Sequence, residues 1–293
     1  MTQPLLPGRE PADRWPAVDL DDLLDTRAAV TEATPGRFLV RNVRSTSPRT
    51  LGAQLIGQTV ALAERSFPGM AVQSLHTVFH RGGDSGQPME AQVETVQSGR
   101  VLATAQVTYH QQGREHCRAL LMLSREEPDF LRHGTTLPDG VLGPDACEEF
   151  DCGLVPWETR TEGGSAAWDQ EQARPATVDI WMRCKELPYD PSASRSLLAH
   201  ACEGFVVPVA TRPYPQAELD WRGGRGVTVL LSQTVTFHER FSLRDWVLLR
   251  SESVYAGHGR MHGRLQAYAN GRLVASVSAD ALMRAASPGH PVG

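Results

Sequence analysis

Ala193-Ser-Arg-Ser-Leu-Leu-Ala-His-Ala-Cys-Glu-Gly-Phe-Val-Val-Pro-Val-Ala210 reads as a short helix, apolar on nearly every side, that carries one carboxylate, Glu203. An ionised acid among apolar neighbours is costly unless it is paired, so its presence asks for a purpose. His200 stands three residues earlier on the same helical face, near enough for the two side chains to meet. Two readings stay open: an acid that contacts substrate or does chemistry, and a structural carboxylate that is paired with an arginine or caps another element. A helix this apolar needs other structure wrapped around it.

The flanking sequence supplies that structure twice. Arg37–Val43 reads as a strand and Leu51–Ser66 as a helix, with Leu51, Leu55, Ile56, Val60 and Leu62 at helical spacing. Gly52 and Gly57 each cost this helix about 1 kcal/mol of propensity, which makes sense if another backbone comes close. Strands follow at Ala71–His80, Glu90–Gln97, Val101–Gln111 and His116–Ser124. In the third, Val101, Ala103, Ala105, Val107 and Tyr109 alternate with polar residues, the mark of a half-buried strand. The plan then repeats, with a strand at Val178–Cys184, a helix at Ser194–Val206 and strands at Val227–His238, Trp246–Ala256, Met261–Ala269 and Leu273–Met283. Ser98–Gly99, Gln112–Gly113 and above all Asn270–Gly271 are hairpin turns by composition. Strand runs after each helix argue for an α+β fold rather than alternating βαβ units. The expected organisation is a first domain over 21–125, a Pro-, Gly- and acid-rich connector over 126–174 and a second domain over 175–286.

The chain has 293 residues, 41% of them hydrophobic and 22% charged, enough for two domains that each bury a core. Its formal net charge of −5 argues against nucleic-acid binding. Five cysteines fit neither a disulfide framework nor a metal-ligand spacing, so reduced thiols in the cytoplasm, no metal and no cofactor are expected. No segment approaches 18 apolar residues, and Met1–Asp25 has no apolar run of the signal-peptide kind, so no membrane association is expected. The G-x-S-x-G elbow of an α/β-hydrolase is missing too.

Several motifs occur in a telling order. Leu51-Gly-Ala-Gln-Leu-Ile-Gly-Gln58, Ser74-Leu-His-Thr-Val-Phe-His-Arg-Gly-Gly-Asp84, Trp181-Met-Arg183, Leu197–Ala210, Phe237-His238 and Val274–Arg284 run through both halves. In this order they resemble the acyl-CoA thioesterase II family, over roughly Asp21 to Arg284. The resemblance implies a double hotdog, two antiparallel sheets each wrapped around a central helix. It also implies hydrolysis of an acyl-CoA or acyl-carrier thioester by water that an aspartate, a threonine and a glutamine activate. The aspartate position is held here by Glu203, the threonine position by Leu230 and the glutamine position by Ala279. With both polar partners replaced, a repurposed scaffold stays open as the alternative: hydratase or dehydratase, acyltransferase, or non-catalytic acyl binder.

The expected site therefore centres on Glu203 as base, with His200 as a partner that could hold water beside it. Ser232 is placed on the face of Leu230 and Thr228 and could donate to that water. Gln54, Gln58 and His76 are candidates to line a substrate groove, and Arg240 and Arg244 to meet coenzyme A phosphates. Each has a plainer reading as a satisfied helix, strand or surface residue. Cys202 reads as a small hydrophobe rather than a nucleophile. Exposed sheet edges lead us to expect a homo-oligomer.

Overall fold

The computed structural model describes residues 16–28, 30–168, 171–215 and 226–285. Most of the N-terminal stretch and position 286, the end of the expected second domain, lie outside them. The first half comprises α1 (Leu20–Ala28), β1 (Thr31–Thr34), β2 (Arg37–Val40), α2 (Gly52–Ser66), β3 (Ala71–Phe79), β4 (Met89–Ser98), β5 (Leu102–Gln111) and β6 (Arg114–Ser124). There follow β7 (Glu148–Glu149), β8 (Glu158–Thr161), β9 (Thr177–Arg183), α3 (Pro191–Val206), β10 (Gly226–Phe237), β11 (Val247–Gly257), β12 (Arg260–Ala269) and β13 (Arg272–Ala285). The described strands form one antiparallel sheet in the order β1-β2-β4-β5-β6-β3-β10-β13-β12-β11-β9-β8-β7. The sheets of the two halves meet edge to edge through β3 and β10, where Ser232 to Thr236 pair with Val78 to Ser74.

The hairpin turns follow their sequences. Gln112 and Gly113 have φ of 52° and 73°, and Asn270 and Gly271 have 50° and 76°, the doubly left-handed conformation of a tight two-residue turn. On β5, Ala103, Ala105, Val107 and Tyr109 are all fully buried. The Tyr109 hydroxyl pairs with Thr59 Oγ1 at 3.0 Å and donates to Leu55 O at 3.2 Å, tying the sheet to α2.

Helix α3 begins three residues earlier than its apolar pattern suggests. Asp190 caps it, accepting from Ser192 N at 2.9 Å, and Pro191 takes the first helical position, where its missing N–H costs nothing. The two long helices pack antiparallel across the junction of the halves, and the glycines make this contact possible. A Cβ on Gly57 would stand 2.9 Å from Ser196 O, and Ser196 Oγ donates to Gly57 O at 2.7 Å. At the other end of α2, Arg195 of α3 holds Glu64 through two bonds of 2.6 and 2.9 Å.

Residues 126–174, read as a connector, contain the strands β7 and β8 and the buried side chains Phe150, Cys152, Leu154, Val155, Trp157 and Trp168. Phe150 meets the Phe205 ring of α3 edge-on at 6.3 Å. Two strands of two and four residues among Pro, Gly and acids have too short a pattern to register in sequence.

Candidate active site

Glu203 lies on the last turn of α3, where that helix crosses the start of α2. The first N–H groups of a helix lack intrahelical acceptors, and the cap residue Leu51 offers no side-chain oxygen. Glu203 comes up to this gap from the other half of the chain, near enough to the Ala53 backbone N–H for that group to favour its ionised form. Its second oxygen, Oε2, is shut off from solvent and has no partner. A Cβ on Gly52 would stand 3.1 Å from Oε2 and 3.2 Å from Phe79 Cζ, so this oxygen lies in a slot that glycine keeps open. Burial pushes the Glu203 carboxyl up to about 7, and the Ala53 N–H holds it down only in part. The positive end of α2 acts in the same direction as that N–H.

His200 is buried, and its ring lies 6.2 Å from that of Trp157. Nε2 sits 2.8 Å from Leu154 O, a carbonyl that can only accept, so Nε2 carries the proton. Nδ1 is then a bare lone pair, buried and without a partner. Burial brings the imidazole down to about 4, which keeps it neutral near pH 7. His200 and Glu203 are neighbours on α3, but no hydrogen bond joins them.

Ser232 departs from its expected place. β10 carries a bulge between Leu230 and Ser232, and the extra residue reverses the alternation. Leu230 and Gln233 therefore both point inward and are buried, while Ser232 Oγ reaches Asp280 Oδ2 at 3.1 Å on the outer face. His262 bonds the other oxygen of the same Asp280 at 2.9 Å. A strict period of two would have put Ser232 beside Leu230, and the bulge leaves no sign in the sequence.

His76 is likewise on the outer face, with Nδ1 2.8 Å from Thr234 Oγ1, and does not line the interior. Both amide atoms of Gln54 are held by backbone, Oε1 by Val43 N at 2.9 Å and Nε2 by Arg41 O at 3.0 Å. Gln54 thus fastens the segment after β2 to α2. Gln58 Nε2 bonds Thr26 O and Arg41 O, each at 3.3 Å, and its Oε1 is buried without a partner. Gln58 and His200 line a small cleft between α1, α2 and α3, along with Arg27, Ser196 and Leu197. Arg240 is exposed and paired with Glu126, and Arg244 donates to Leu187 O and stacks 4.1 Å from the Tyr189 ring. Neither approaches Glu203 through any contact. Cys202 behaves as the small hydrophobe it was read as: its Sγ bonds Leu198 O at 3.0 Å, and burial raises its thiol far above the ordinary range. No cluster of three His, Cys, Asp or Glu able to hold a metal exists among the described residues.

One polar residue escaped the sequence reading. Gln233 is fully buried, and its Nε2 donates to Ala199 O at 3.0 Å, one helical turn before Glu203. It lies directly across the strand pair from Thr77 on β3 and from Ala279 on β13. Placed on the opposite strand face from Ser232, it could have been found only by locating the bulge.

A carboxylate from one helix set against the start of another, inside a sheet that wraps both, defines a double-hotdog protein. Structures of that kind superpose on the chain. The tesB protein of Mycobacterium avium subs paratuberculosis does so with a TM-score of 0.76 at 24% identity, covering 90% of this chain and 98% of its own. A protein from Alicyclobacillus acidocaldarius with a hot dog fold gives 0.72 at 19% identity, covering 90% and 98%. The model of the acyl-CoA thioesterase N-terminal domain matches residues 40–124, and that of the acyl-CoA thioesterase C-terminal domain matches 134–283. The chain belongs to the acyl-CoA thioesterase family. The acyl-CoA thioesterase 2 of Haemophilus influenzae is similar to it at 23% identity over 257 residues, 80% of this chain and 88% of that protein.

Proposed function

We propose that the protein hydrolyses acyl-CoA or acyl-carrier thioesters, with Glu203 as the general base. The observation that carries this is the Glu203 carboxyl itself: set against the start of α2, with Oε2 shut off from solvent and unengaged, and raised to about 7. A base whose affinity for protons lies near neutral pH is suited to accept one and give it back. Water would attack the thioester carbonyl carbon while its proton passes to Glu203. The developing oxyanion would be met by the start of α2, with Gly52 N–H the donor beside the slot. Collapse breaks the C–S bond, and Glu203 returns the proton to the departing thiolate, leaving a carboxylic acid and a free thiol. Neutral His200 beside the base adds no competing positive charge.

Release of free thiol from short, medium, long and aromatic acyl-CoAs tests this, with Glu203→Gln in parallel. Turnover that the substitution removes supports the hydrolase. Acyl-CoA bound without turnover by either protein would favour the non-hydrolytic alternative that Leu230 and Ala279 keep open. The proposal extends to a cytoplasmic homo-oligomer, which light scattering would test. Among the described residues, no helix is long and apolar enough to cross a membrane.

A further inference from the structure

Leu230 and Ala279 stand where the hydrolase reading needs groups that hold water, yet the buried row across the junction is not apolar. Thr77, Gln233 and Ala279 lie side by side on β3, β10 and β13 and face inward together. Thr77 Oγ1 and Gln233 Oε1 are both buried and both without a partner. An unpaired polar atom in a protein interior costs about 1–3 kcal/mol, and here two occur on directly opposed residues, whose Cβ atoms stand about 5 Å apart in such a pair. The orientation of the Gln233 amide follows from its neighbour: Ala199 O accepts, so Nε2 faces the helix and Oε1 faces away. Ala199 and Glu203 are four residues apart on α3, so the Gln233 side chain reaches that helix about one turn, about 6 Å along its axis, from the base. Oε2 of Glu203 is likewise buried and without a partner.

We propose that Gln233 and Thr77 position the hydrolytic water, in place of the polar groups that Leu230 and Ala279 lack. Water has two protons to place. Glu203 takes one as base, and Gln233 Oε1 accepts the other, which turns a lone pair of the water toward the thioester carbon. The Thr77 hydroxyl, with a donor and an acceptor to offer, fixes the oxygen from the side of the first half. The residue types match the family's threonine and glutamine, but the positions differ, and Thr77 comes from the other half of the chain. This inference rests on the hydrolase reading.

The test compares Gln233→Met, Thr77→Val and Thr77→Ser with the wild type and Glu203→Gln, by thiol release and by thermal melting. Thr77→Val keeps the shape of the side chain and removes an oxygen that has no partner, so its melting temperature should equal or exceed that of the wild type. Gln233→Met also loses the Nε2 bond to Ala199 O and should melt lower by no more than about 2–4 °C. Their kcat should fall by about 10- to 100-fold with KM little changed, the signature of a misplaced reactant, and Thr77→Ser should recover most of it. Wild-type kcat in Gln233→Met and Thr77→Val, with Glu203→Gln inactive, would overturn this inference and leave the hydrolase standing. Lost turnover that tracks a lowered melting temperature and is not recovered by serine would make the pair structural, and overturn it also. A wild type that releases no thiol would remove the hydrolase reading and this one with it.

Discussion

Glu203 and Gly52 belong to opposite halves of the chain, and a single methyl group on Gly52 would come within 3.1 Å of the carboxylate oxygen Oε2. Gly52→Ala should therefore crowd the base without touching its chemistry. The same methyl would meet the Phe79 ring at 3.2 Å, so neither neighbour can yield freely. Thiol release should drop about tenfold or more, with the circular dichroism spectrum unchanged. Wild-type turnover in this variant would mean that the slot is not where thioester and base meet.

The rate should follow the ionisation of Glu203. A base works only when deprotonated, and burial holds this one near 7. The logarithm of kcat/KM should rise with unit slope below about pH 7 and level off above it. A profile already flat from pH 5 would mean that a group of ordinary carboxylate strength does the work.

Stability should depend on the same proton with the opposite sense. The Glu203 carboxyl binds its proton more tightly folded, at about 7, than unfolded, near 4.5. The native state then holds more protons between those values, and its stability falls as pH rises through them. Glu203→Gln removes this slope, so the variant should gain on the wild type from pH 4.5 to 7, by at most on the order of 3 kcal/mol. His200 works the other way: folded at about 4 against 6.5 unfolded, it adds stability as pH rises from 4 to 6.5. The two slopes oppose each other in the wild type, and urea midpoints of the variant should rise more steeply over that range, with His116 and His238, also held down by burial, adding to the His200 slope.

Gly57→Ala offers a test of the helix contact. On an exposed helix surface this change would stabilise by about 1 kcal/mol. Here the new Cβ would lie 2.9 Å from Ser196 O, a backbone atom of the facing helix. The helices would have to part, and the urea midpoint should fall by the equivalent of about 1–3 kcal/mol. An unchanged midpoint would show that the helices pack less closely than described.

Arg195→Met should be among the most damaging changes away from Glu203. It leaves Glu64, only 7% exposed, without its cation, a loss of about 3–5 kcal/mol. Adding Glu64→Gln should restore much of the stability, because a neutral amide is far cheaper to bury. If the single and the double variant melt together, the ion pair contributes little.

Much of the architecture was legible because its signals are periodic or local. Helix α2, the alternating β5 and the Gln112–Gly113 and Asn270–Gly271 turns each depend on a few adjacent residues. Glu203 stood out as an acid in an apolar run, and the structure sets it against the start of α2. What escaped depended on distant partners or on a break of period. The bulge before Ser232 exchanged the faces of Ser232 and Gln233, so the inward-facing polar residue is Gln233. His76 and Gln54 looked like groove residues until their partners, Thr234 and the backbone at 41–43, came into view. Strands β7 and β8 are too short and too acidic to announce themselves.

The Arg195–Glu64 bridge has a meaning beyond stability. Glu64 and Glu203 occupy the same rung of their helices, each twelve residues from the first (52 to 64, 191 to 203). One faces an unengaged slot, and the other is clasped by two nitrogens of a guanidinium. A doubled architecture has in this way become an asymmetric one, with the carboxylate of one rung unengaged and that of its twin paired. The stoichiometry follows: each chain, for all its internal repetition, should turn over one thioester at a time.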